Sequence, residues 1–134
     1  MTVGAVCVGI GVIITLLLFA FAQVRDRRFQ EEFLATVERE LGSAPVGVAS
    51  VVSAREALRK FVEERGDEQG RGRGRQTTRL VRRDLPDGGA SHFLVLEAHA
   101  GGSHAEYERD LGQLDAAAID SFAKANIREY HVHR

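Results

Sequence analysis

From Val3 to Val24 the chain carries no charge, and only glycines, Thr15 and Gln23 interrupt the apolar run. About 20 such residues let an α-helix cross the hydrocarbon core of a bilayer. The pattern therefore predicts a transmembrane anchor over residues 1–25. In the next stretch, "DRRFQEEFLATVERELG", Phe29, Phe33, Val37 and Leu41 recur at four-residue steps, Leu34 widens the stripe and Gly42 offers a stop. This reads as an amphipathic juxtamembrane helix over 26–42. It joins the span directly, and "GSAPVG" separates it from the C-terminal part of the chain. Its stripe is accordingly expected to meet a partner or a second copy of the chain, rather than the chain's own sheet.

Residues 43–134 read as a small α+β domain. "VGVASVV", from Val46 to Val52, has the composition of a short strand. "SARE" at Ser53 is a capping box for a helix with Ala57, Leu58, Phe61 and Val62 on its buried face and Gly66 as its end. "GDEQGRGRGRQ", residues 66–76, has the alternating Gly and Arg of a flexible loop. From Thr77 the period changes to two: "TTRLVRRDL" is a strand, "PDGG" a turn, and "SHFLVLEAHA" the most apolar strand. Gly101-Gly102 is a preferred two-residue hairpin turn, so "SHAEYERDLG" is read as the return strand. Asp115 caps a helix to about Ala125, with Ala118, Ile119 and Phe122 inward, and "NIREYHVHR" closes the chain as a strand.

The expected order after the anchor is α-β-α-β-β-β-α-β, with helices packed on one face of an antiparallel sheet. A helix opening at Ser103 would instead give β-α-β-β-α-β from residue 46, the ferredoxin-like order. That is a statement of element order and implies no activity.

Charge decides between two readings of the anchor. Ala20, Phe21 and Ala22 form an A-x-A cleavage pattern, and release after Ala22 would give an exported domain. Against this, the segment before the run has no Lys or Arg, while Arg25, Arg27 and Arg28 come after it. The positive-inside bias then puts Met1 outside and the C-terminal domain in the cytoplasm, as an uncleaved single-pass anchor. Gly4, Gly9 and Gly11 leave room for close helix approach, although the strict G-x-x-x-G spacing is absent. The single cysteine, Cys7, lies in the anchor and permits no intrachain disulfide. A net charge of −1 argues against bulk nucleic-acid affinity.

All 5 histidines lie beyond residue 91. With a two-residue turn at Gly101-Gly102, His99 faces His104 and Glu97 faces Glu106, which would gather two imidazoles and two carboxylates on one patch. Zinc or iron accepts such donors, and His131 and His133 could join them. The bland alternative is a solvated sheet face whose arginines balance the glutamates. Arg71, Arg73 and Arg75 crowd the basic loop, where a tethered domain could lay them on anionic headgroups. A solvated linker explains the same composition.

No G-x-S-x-G, Walker A or Rossmann fingerprint occurs, and Ser91 and His92 are strand neighbours pointing to opposite faces. The expectation is a non-enzymatic membrane-anchored binding module without a cofactor, an accessory subunit or assembly factor of a larger membrane complex. Self-association through the anchor and juxtamembrane helix belongs to the same reading. A His-based metal-binding or redox-accessory domain is the rival.

Overall fold

The computed structural model describes the backbone of residues 2–69 and 74–132, with side chains from 8–66 and 74–132. Helix α1 (Thr2–Leu41) runs unbroken for 40 residues. From Val8 to Phe21 it projects apolar side chains outward all round, with Leu16, Leu18, Phe19 and Phe21 more than half exposed. The helix is long and apolar enough to cross a membrane. The second half buries one stripe, and Gly42 ends the helix in the left-handed region (φ 60°), its N–H reaching the Glu38 carbonyl at 2.8 Å.

Helix α2 (Val48–Gln69) replaces the expected strand over 46–52 and runs past the expected stop at Gly66. The reason is spacing: Val51, Ala54, Leu58 and Val62 lie three or four residues apart and are all fully or nearly buried. Together they form one helical stripe that outweighs the β-preference of valine. The start is set at Gly47, whose carbonyl accepts the Val51 N–H, while its own N–H donates to Ser50 Oγ at 3.0 Å. Ser53 is consequently inside the helix, where its hydroxyl donates to Glu40 Oε2 of α1. Glycine inside a helix costs about 1 kcal/mol relative to Ala, and Gly66 alone does not stop α2.

The sheet has four strands, β1 (Arg75–Asp84), β2 (Ala90–Ala100), β3 (Ser103–Gly112) and β4 (Glu129–Val132), in the spatial order β3-β2-β1-β4. The hairpin at Gly101-Gly102 forms as expected, so Ser103 opens a strand and the ferredoxin-like order does not arise. After the first helix the order is α-β-β-β-α-β. Helix α3 (Ala116–Lys124) is capped by Asp115, which accepts the Ala118 N–H at 2.7 Å. It carries the chain from one edge strand, β3, across to the other edge. There β4 pairs parallel with β1, Leu80 opposite Glu129. The sheet is thus mixed rather than purely antiparallel. The expected loop over 66–76 shrinks from both ends, because α2 continues to Gln69 and β1 begins at Arg75.

The helices occupy one face of the sheet. Phe29, Phe33, Val37 and Leu41 of α1 are 4%, 0%, 0% and 5% exposed, in a single cluster with Leu58, Leu80, Leu94, Leu96, Phe122 and Ile127. The expectation that this stripe meets a partner or a second copy is therefore overturned. Helical periodicity shows that a face is covered, and α2 and β3 of the same chain cover this one. The linker "GSAPVG" is a tight reversal rather than a spacer. The Arg109 guanidinium on β3 donates to the Gly42 and Ala44 carbonyls, both at 3.0 Å, and fixes it to the sheet.

Removing a fully buried aromatic ring costs about 3–5 kcal/mol. Phe33→Ala should destabilise the domain by that amount in chemical denaturation, and a fragment of residues 43–134 should not fold cooperatively. A cooperative melt of that fragment at the full chain's Tm would return the stripe to the surface.

Candidate functional site

The site grows from the β2–β3 turn. Gly101 (φ 54°) and Gly102 (φ 85°) both take the left-handed conformation that a two-residue primed turn requires of its central residues. The turn sets the register, so His99 pairs with His104 and Glu97 with Glu106 on the face away from the helices. The two imidazole rings lie 4.4 Å apart between centroids, tilted by 31°. One donor atom each of Glu97, His99 and His104 falls within 4.8 Å of the others. Glu97 Oε1 is bound by the Arg79 guanidinium of β1, and Oε2 points toward His99 Nε2 at 3.8 Å.

Glu106 is not among these grouped donors, and its side chain is exposed on the edge strand. His131 sits in β4 opposite Arg82, two strands from β2 and in the alternate register position. It does not join the pair, and His133 lies outside the described residues. The glutamates are balanced by arginine: Arg79 binds Glu97 and Arg83 binds Glu108 across the same face, with Arg83 also 4.2 Å above the Phe93 ring.

The turn is docked on α1. Ser103, 1% exposed, donates its hydroxyl to Asp26 Oδ1 at 2.7 Å, and Gln30 Nε2 donates to the His104 carbonyl at 3.4 Å. Asp26 lies two residues beyond Val24, where the apolar run ends. The His pair therefore sits at the end of the domain next to the apolar half of α1. Basic residues gather at this end. Exposed Arg25, Arg27 and Arg28 ring the helix, and Arg65 of α2 binds Glu32. Arg75 opens β1 opposite His99. A cavity of about 370 Å³ lies here, lined by Phe21, Val24, Arg25, Arg28, Phe29 and Arg65 among others. Of the three loop arginines, Arg71 and Arg73 lie outside the described residues.

Two features were not anticipated from sequence. His92, 3% exposed on the helix-facing side, shares a 2.8 Å hydrogen bond with Glu129 of β4, while its Nδ1 has no partner among the described residues. Its signal was a histidine in phase with Leu94, Leu96 and Ala98, on the apolar face of the most apolar strand. The second is a groove of about 820 Å³ between α1 and α2, whose rim includes Glu32, Arg39, Glu40, Glu56, Lys60 and Glu64. On α2 nearby, the Arg59 hydrogen bond holds the Glu56 carboxyl below the usual carboxylate range.

In comparisons with protein-family models, curated proteins and solved structures, the chain finds no match.

Proposed function

We propose that this chain is a single-pass membrane protein that works by binding, as an accessory subunit or assembly factor of a larger membrane complex, with its α+β domain in the cytoplasm. The observation that carries the reading is the continuity of α1. The same helix that exposes an apolar surface before Val24 supplies Phe29, Phe33, Val37 and Leu41 to the domain core. An anchor built this way fixes the orientation of its domain, because no hinge separates the two. The domain then presents one end to the bilayer surface, the end bearing Arg25, Arg27, Arg28, Arg65 and Arg75 and the β2–β3 turn. Positive charge on the side that stays in the cytoplasm agrees with the positive-inside bias. Each Arg near an anionic surface contributes about 1 kcal/mol.

A fluorescent reporter at the C-terminus should light up in the cytoplasm, and an alkaline phosphatase fusion at the same point should stay inactive. A mature protein whose N-terminal sequence starts at Gln23 would overturn the anchor.

Orientation makes a second prediction. For the full chain in nanodiscs, amide hydrogen exchange at residues 99–104 should slow when phosphatidylserine replaces part of the phosphatidylcholine. The difference should vanish at about 1 M salt, where the Debye length is about 3 Å. The combined Arg71→Gln, Arg73→Gln and Arg75→Gln variant should reduce it. Equal exchange in both lipids would show that this end does not lie against the headgroups.

A further inference from the structure

We propose that Glu97, His99 and His104 form a binding site for one divalent transition-metal ion of the zinc type. Two imidazoles and a carboxylate suit zinc, whereas calcium and magnesium take oxygen donors. Three protein ligands with a fourth position left to water is a recurrent zinc arrangement. The three side chains share one face of a ladder whose register is set by the Gly101-Gly102 turn and by the Ser103–Asp26 hydrogen bond. The backbone part of the site is thus built before any ion arrives.

The side chains need only a small adjustment. Their donors lie within 4.8 Å of one another. A tetrahedral ion with bonds of about 2.0–2.1 Å needs donors about 3.3 Å apart. His104 is exposed and the His99 side chain is 41% exposed, so both rings turn about their side-chain bonds without displacing core atoms. Arg79 has the part that a hydrogen-bonding neighbour of a ligand carboxylate takes. It holds Glu97 Oε1 and leaves Oε2, 3.8 Å from His99 Nε2, for the ion. An ion between the two imidazoles replaces their ring contact by two coordinate bonds. Glu106 stays outside this set, free to accept from a metal-bound water.

The test uses the full chain in detergent micelles, purified with a tag free of histidine. Zinc chloride titrated in a calorimeter should give saturable binding of one equivalent, and cobalt(II) should develop the visible absorption of a tetrahedral site. His99→Ala and His104→Gln should each weaken zinc about tenfold or more, a loss at least equal to that from disturbing an outer-shell partner. His131→Ala should leave it unchanged. Because binding to the folded state alone raises Tm, zinc should stabilise the parent and the His131→Ala protein but not the His99→Ala/His104→Gln double variant. Circular dichroism of the variants without metal should match the parent. Absence of saturable binding, more than one equivalent of equal affinity, or retention of affinity in the double variant would overturn the site.

Discussion

The rest of the structure depends on one helix, α1, whose second half is core and whose first half is an exposed apolar surface. The stripe of Phe29, Phe33, Val37 and Leu41 is buried against α2 and β3, and the same rod continues without a break into a segment whose described apolar side chains are exposed. Fully burying a Phe, Val or Leu side chain contributes about 1.5–3 kcal/mol. The docking of α1 is therefore a large share of what makes a domain of this size stable. Position is a consequence of it. Once α1 is fixed in the core, the reversal held by Arg109, the antiparallel return of α2 and the direction of β1 are all set relative to the apolar segment. The first half of α1 exposes an apolar surface that nothing among the described residues covers. Its second half is rigid because it is core.

The β2–β3 hairpin depends on that docking in turn. Its tip is stitched to α1 by Ser103 and Asp26, so the residues on either side of the turn are held as firmly as the helix. This is why the His99–His104 pair is a defined constellation and not two surface histidines on a frayed loop. The outer sheet face then divides by strand: β3 presents His104, Glu106, Glu108 and Asp110, β1 presents Arg75, Arg79 and Arg83, and the Arg83–Glu108 ion pair crosses β2 while Arg79 binds Glu97 on β2 itself. Arg79, Arg83, Glu108 and Asp110 are each engaged in an ion pair or hydrogen bond, and the two imidazoles stand together at the tip.

Period-two segments were the most legible part of the sequence, because a hairpin is a local object. Gly101-Gly102 and the alternation on both sides fix the turn, the register and the pairing of His99 with His104. The cap at Asp115 is equally local. Non-local choices were not legible. Val46–Val52 looks like a strand in isolation and becomes helix because Val51 continues the stripe of Ala54, Leu58 and Val62 onto α1. The stripe on α1 announced that it was covered, but its cover, α2 and β3, lies far along the chain. The parallel pairing of β4 results from where α3 delivers it, and nothing within "NIREYHVHR" encodes that. At the candidate site, sequence placed four donors on one face. Arg79 on a third strand is what distinguishes Glu97, which is held and oriented, from Glu106, which is exposed.

Whether the apolar segment and the domain form one rigid body is read from a distance along α1. In the full chain reconstituted in lipid, with Cys7 replaced by Ser, spin labels at Ile14→Cys and Glu38→Cys report on α1 across the point where the apolar run ends. Both positions are exposed, and 24 residues of unbroken helix at 1.5 Å each span about 36 Å. One continuous rod gives a single narrow distance distribution near that value, unchanged between lipid and detergent. A broad distribution, or a clearly shorter one that shifts with the medium, would place a hinge between the apolar segment and the core and contradict it.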